Sequence, residues 1–152
     1  MTFLQAVVAL ILGGVLAGAA QAEPAALLQA GSYEVTYRLE LPHVEMWAVD
    51  KTRTICVAGA GAARLAPLPV LSGNNPLTTC PAENIRREGA TLRFDIVCAG
   101  RNAARARAAY TLGPDGFKGR IAMVMGAKNM TMTEVQVGRR VGNCDLAGAP
   151  PD

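Results

Sequence analysis

Four thioethers crowd one short stretch, Met123-Val124-Met125-Gly126-Ala127-Lys128-Asn129-Met130-Thr131-Met132. Thioether sulfur is polarisable and has no proton to displace, which suits Cu(I) or Ag(I) in an oxidising compartment. If the flanking segments form a hairpin around Gly126–Asn129, Met125 lies opposite Met130 and Met123 opposite Met132. All four sulfurs then share one face. His43 could add an imidazole, and Trp47 could lie over the cation. The same parity sets Met123 and Met125 beside Phe117 and Ile121, where methionine simply fills the edge of a core. A single bulge would send Met130 and Met132 to the opposite face.

Cys56, Cys80, Cys98 and Cys144 are widely spaced with no C-x-x-C pair, which disfavours a zinc knuckle or a thioredoxin-like redox site. Two structural disulfides are the plain reading, with three pairings open. The preferred pairing is Cys56–Cys80, closing the Pro-rich excursion between them, with Cys98–Cys144 stapling the C-terminal tail. Catalysis finds little support. His43 is the sole histidine, Ser32 and Ser72 are the only serines, and neither lies in a nucleophile elbow. No carboxylate pair is set across a cleft, so the expectation is a protein that is not an enzyme.

Phe3 to Ala20 is an uncharged apolar run, closed by Ala20-Gln21-Ala22 as a small-x-small cleavage site. This predicts a secretory signal over 1–22, cleaved near Ala22, and one domain over 23–152 in the periplasm or outside the cell. No charge lies within 1–22, so the net +3 stays with the domain. With three Phe, three Tyr and one Trp, it lacks the basic, aromatic-rich surface that nucleic acid requires.

The segments that hold these residues read as strands. Tyr33, Val35, Tyr37, Leu39 and Leu41 alternate with Glu34, Thr36, Arg38 and Glu40. Further strands are expected at Thr52–Val57, Ile85–Arg87, Thr91–Cys98, Ala103–Leu112, Phe117–Met125 and Met130–Val137. Ala58–Pro81 is rich in Gly, Ala, Pro and Asn, where Pro67, Pro69 and Pro76 exclude a long helix; it is either a lid or a loose loop. Around Gly113-Pro114-Asp115-Gly116, Leu112 should face Phe117, Tyr110 should cover Gly119, and Ala106 should face Met123. The other face then carries Arg105, Arg107, Lys118 and Arg120, a basic stripe suited to an anionic membrane surface or an acidic partner. The expected fold is all-β, an antiparallel meander of about six to eight strands in an open barrel or compact sandwich, stapled by disulfides.

The order of motifs resembles a known family. It runs Gly31-Ser32-Tyr33, the segment from Pro42 to Met46, Thr54-Ile55-Cys56, Cys80, a strand ending in Cys98, Gly116-Phe117-x-Gly119, Met-x-Met pairs, and the closing Gly138-Arg139-Arg140-Val141-Gly142-Asn143-Cys144. This is similar to the bacterial secreted family known as domain of unknown function 3617, over nearly all of the chain beyond the signal. A Gly-Met-Pro-like segment of that family stands here as His43-Val44-Glu45-Met46. The resemblance implies an exported, disulfide-bonded β domain of a Gram-negative envelope and supplies no activity. The expected function is a non-catalytic binding or accessory module for an apolar ligand or an envelope protein, without a cofactor. Tyr33, Tyr37, Phe94, Phe117, Met123 and Met132 would line the ligand. The alternative is a Cu(I)/Ag(I)-binding protein using Met123, Met125, Met130 and Met132, with or without His43.

Overall fold

Every segment with period-two alternation forms a strand. The computed structural model describes residues 28–57, 67–126 and 130–144. The expected signal at 1–22, the first part of the excursion at 58–66 and the turn residues 127–129 lie outside the described residues. The strands are β1 (Gly31–Glu40), β2 (Lys51–Val57), β3 (Ala82–Glu88), β4 (Thr91–Val97), β5 (Arg105–Gly113), β6 (Gly116–Met125) and β7 (Met130–Gly142). They make one open antiparallel sheet in the order β2-β1-β7-β6-β5-β4-β3. Among the described residues the only helical turns are short 3-10 turns at Glu45–Trp47 and Pro76–Thr79. None is long and apolar enough to cross a membrane.

The hairpin registers follow the expected pattern. Leu112 faces Phe117, Tyr110 faces Gly119 and Ala106 faces Met123. Gly113 and Gly116 themselves pair, so only Pro114 and Asp115 form the turn. β7 runs past Val137 to Gly142 because it has partners on both sides, with Gly138 opposite Val35 of β1 and Phe117 of β6.

β2 and β3 are the two edges, so the chain between them has to cross the sheet. The described part of that crossing packs against one face as a cover, burying Leu68, Val70, Leu71 and Leu77. Prolines lack the N–H that a ladder requires, so Pro67, Pro69 and Pro76 suit a segment that lies across strands rather than beside them. Each buried aliphatic side chain contributes roughly 1.5–3 kcal/mol of transfer free energy. The inward residues of β1, β4, β5 and β6, including Val35, Ile96, Ala108 and Ile121, complete this core. The opposite face has no second layer over it among the described residues.

An aromatic row ties the strands together under the cover. Ring centroids of Tyr33 and Phe117 are 5.7 Å apart, Phe117 meets Tyr110 edge-on at 5.7 Å, and Tyr110 stacks on Phe94 at 6.0 Å. Two glycines make room for it. A Cβ at position 119 would run into the ring of Tyr110, and one at 138 into the ring of Phe117. Gly119→Val should therefore lower stability by about 2–3 kcal/mol through overpacking. Urea unfolding of the variant should show a lower midpoint with an unchanged slope; an unchanged midpoint would mean that the rings move aside freely.

The disulfides correct the preferred pairing: they are Cys56–Cys144 and Cys80–Cys98. That pairing assumed that the excursion returns to the strand it left. It crosses to the far edge instead. Ala82 pairs with Ile96, which brings Cys80 and Cys98 opposite each other just beyond. Ser32 pairs with both Cys56 and Gly142, which brings Cys144 to the end of β2. The cover is thus bracketed by two bridges, each anchoring one end to a different part of the sheet.

The registers also sort the connections into two ends. The β1–β2, β4–β5 and β6–β7 connections share one end of the sheet, while the start of β1, the end of β7 and the β5–β6 turn share the other.

Candidate functional site

Beneath the cover, β7 turns two polar side chains into the core, Glu134 and Gln136, both fully buried. Burial of a carboxylate is costly unless donors surround it, and here they do. The Leu71 N–H donates to Glu134 Oε1 at 2.8 Å and the Ser72 N–H to Oε2 at 2.8 Å. Gln136 Nε2 donates to Glu134 Oε1 at 2.6 Å and to the Pro69 carbonyl at 2.8 Å. Its own Oε1 accepts from the Tyr110 hydroxyl at 3.0 Å. Asn75 extends the set, donating to Ser72 Oγ at 3.0 Å and to Met123 Sδ at 3.2 Å while accepting the Leu77 N–H at 3.1 Å. Both carboxylate oxygens of Glu134 thus accept an amide of the cover, and Oε1 also accepts from Gln136 on its own strand.

The parity of β7 carried the signal for this cluster. Met132 and Gly138 face the core, so Glu134 and Gln136 between them must do so as well. Buried polar side chains on a strand require partners from elsewhere, and the Pro-rich segment has backbone groups free of any ladder.

Burial and the nearby Glu134 carboxylate push the Tyr110 phenol far above its ordinary range. Burial also raises Tyr33, where Arg140 opposes the effect, and the Tyr33 hydroxyl donates to the Gln29 carbonyl at 2.8 Å. A folded-state pKa above the unfolded value means that the unfolded chain loses its proton first. The stabilisation is then complete below about pH 10 and fades as pH rises beyond it. Denaturation between about pH 8 and 11 should show this fall, and Tyr110→Phe should remove most of the slope. A slope unchanged in that variant would assign the alkaline loss to other groups.

Of the residues expected to line an apolar ligand, Tyr33, Phe94, Phe117 and Met123 lie buried in the packed core, and Tyr37 and Met132 lie half-buried at its margin. The methionine register is the expected one, with Met125 opposite Met130 and Met123 opposite Met132. The environments differ, however. Met123 is buried and accepts a hydrogen bond, Met125 and Met132 are partly buried, and Met130 is exposed. His43 sits exposed in the β1–β2 connection at φ 69°, its N–H donating to Glu45 Oε1 at 3.1 Å. The same connection presents Met46 at 83% exposure and Trp47 at 76%.

The open face carries the other grouping. Arg105, Arg107, Lys118 and Arg120 all project there, and the β4–β5 register adds Arg93 beside Ala109. A groove of about 460 Å³ is lined by Arg93, Ala109, Lys118, Arg120, Val135 and Val137. A neighbouring one of about 510 Å³ is lined by Asp95, Arg105, Arg107, Ala122, Val124 and Thr133. Arg120 reaches Glu40 at 2.7 Å, and Arg38 meets the same carboxylate at 2.9 Å. Partial burial would raise the Glu40 carboxyl, but the hydrogen bonds from Arg38 and Arg120 outweigh it and hold the pKa below the usual value. Arg139 pairs with Glu34 at 2.9 Å.

Comparison with curated proteins and with solved structures found no match. A family's sequence model does match, over residues 28–144, from three residues ahead of β1 to Cys144, the partner of Cys56. The four cysteines, the glycines beneath the aromatic row and the Glu134–Gln136 pair all fall within that match, and the chain belongs to the family described as protein of unknown function, DUF3617.

Proposed function

We propose that this chain is an exported, non-catalytic module of the bacterial envelope that recognises a partner with the open face of its sheet. The observation that carries the reading is the contrast between the faces. One is filled by the chain's own cover, with Tyr33, Phe94, Phe117 and Met123 packed beneath it. The other presents two grooves whose charged walls are Arg93, Lys118 and Arg120 in one, and Arg105 and Arg107 with Asp95 in the other. The apolar run from Phe3 to Ala20 and the two disulfides support a periplasmic location. A non-enzymatic role is supported by the use of the buried carboxylate, which is committed to backbone amides. The same basic face is where contact with an anionic membrane surface would occur.

A photo-crosslinking residue placed at Thr111 or Val137 on the open face, and at Pro69 on the cover, tests this in periplasm-expressing cells. Adducts from Thr111 and Val137 but not from Pro69 are expected. Adducts confined to Pro69, or an apolar small molecule retained in native mass spectra, would reverse the assignment in favour of an internal ligand.

A second reading, soft-metal binding, is favoured by the pairing of Met125 with Met130 and Met123 with Met132. Cu(I) added under conditions that spare the disulfides should then give a one-copper adduct that Met130→Leu together with Met132→Leu abolishes. Those substitutions nearly conserve volume and should leave the fold intact. An adduct that survives both changes would place the metal elsewhere.

A further inference from the structure

Charge on the open face is concentrated and ordered. Strands β4, β5 and β6 turn Arg93, Arg105, Arg107, Lys118 and Arg120 outward against one acid, Asp95, whose carboxylate accepts from Asn84 at 2.8 Å. The whole chain has a net charge of only +3, so its positive excess lies on these strands. The registers set the order. Arg105 faces Val124, Arg107 faces Ala122, Arg120 faces Ala109 and Lys118 faces Thr111. No two of these four cations are direct cross-strand partners; on the β5–β6 side each lies beside a small or aliphatic residue, and on its β4 side Arg107 faces Asp95. Arg105 and Arg107 are two residues apart on β5, as are Lys118 and Arg120 on β6, which spaces each pair by about 7 Å. Arg107 and Arg120 are diagonal neighbours at roughly 7–8 Å. The four therefore form one line with a near-constant step. Arg120 remains 59% exposed despite its contact with Glu40.

We infer that this line binds an extended acidic segment of a partner protein, with Asp or Glu at alternate positions. This rests on the open-face reading above and names its partner's chemistry. Alternate residues of an extended chain repeat at about 7 Å on one side, the step of the cation line. The residues beside the line are small, Ala109 and Ala122, so a backbone can approach. The grooves favour a chain over a flat lipid surface. No Phe, Tyr or Trp is exposed on this face among the described residues, which denies a nucleic acid its stacking platform.

The test uses the disulfide-bonded protein and two labelled decapeptides of equal composition, one alternating Glu and Thr, the other five Glu followed by five Thr. Fluorescence anisotropy at low salt should show the alternating peptide binding at least about tenfold more tightly. The Arg107→Ser/Lys118→Ser variant, checked for native circular dichroism, should lose that preference. Equal binding of both peptides would reduce the effect to diffuse attraction and overturn the proposal. Preferential binding of phosphatidylglycerol vesicles or of oligo-dT, abolished in the variant, would overturn the peptide assignment while leaving the open-face reading intact. Absence of binding to every probe, or binding indifferent to the variant, would overturn both.

Discussion

Replacing Cys56 and Cys144 together by serine should cost about 4–5 kcal/mol, the larger of the two disulfide losses in this chain. The bridge spans 88 residues, against 18 for Cys80–Cys98. Loop-closure entropy rises with the logarithm of that span, giving about 3 kcal/mol for the shorter bridge. Against a typical total of roughly 5–15 kcal/mol, the long bridge is a large share of what keeps the domain folded. Urea unfolding of C56S/C144S and C80S/C98S should rank them in that order. The reverse ranking would show that local anchoring of the cover next to β3 matters more than the entropy of the unfolded chain.

Glu134→Ala should have an effect of similar size, about 3–5 kcal/mol, with a different signature. The substitution strands the N–H groups of Leu71 and Ser72 and removes one of the two acceptors of Gln136 Nε2, leaving the Pro69 carbonyl. Glu134→Gln is the sharper probe because it keeps the volume. It sets an amide NH2 against one backbone donor, at a cost of about 1–3 kcal/mol. Hydrogen exchange should speed up at the Leu71 and Ser72 amides in both variants while the centre of the sheet, around Ile121 and Val135, stays protected. If those amides exchange as slowly as before, the carboxylate does not hold the cover, and the apolar contacts of Leu68 and Leu77 suffice.

The middle of the sheet was legible because β1, β4, β5 and β6 bury one side only, so alternation in the residues maps directly onto inside and outside. Tyr110 opposite Gly119 is the clearest instance, since an aromatic facing a strand glycine has a single favourable register. The disulfide pairing was not legible. It depends on which edge the Pro-rich segment reaches, and edge assignment is a long-range property that no local pattern encodes. Glu134 and Gln136 went unread: the parity of β7 pointed both side chains inward, but their partners are backbone groups of Pro69, Leu71 and Ser72, which have no side-chain signature. Arg93 escaped notice for a similar reason, because only the β4–β5 pairing sets it beside Ala109.

The shared end of β1 and β7 matters for how the domain can be held. Ser32 pairs with Gly142, so whatever precedes Leu28 and whatever follows Cys144 depart from the same pole. A tether joined directly ahead of Leu28 or directly after Cys144 starts from that pole, and the opposite pole carries Met46, Trp47 and Val49. Held at those two points, the sheet would stand with Met46 and Trp47 facing outward and its cation line running up one flank.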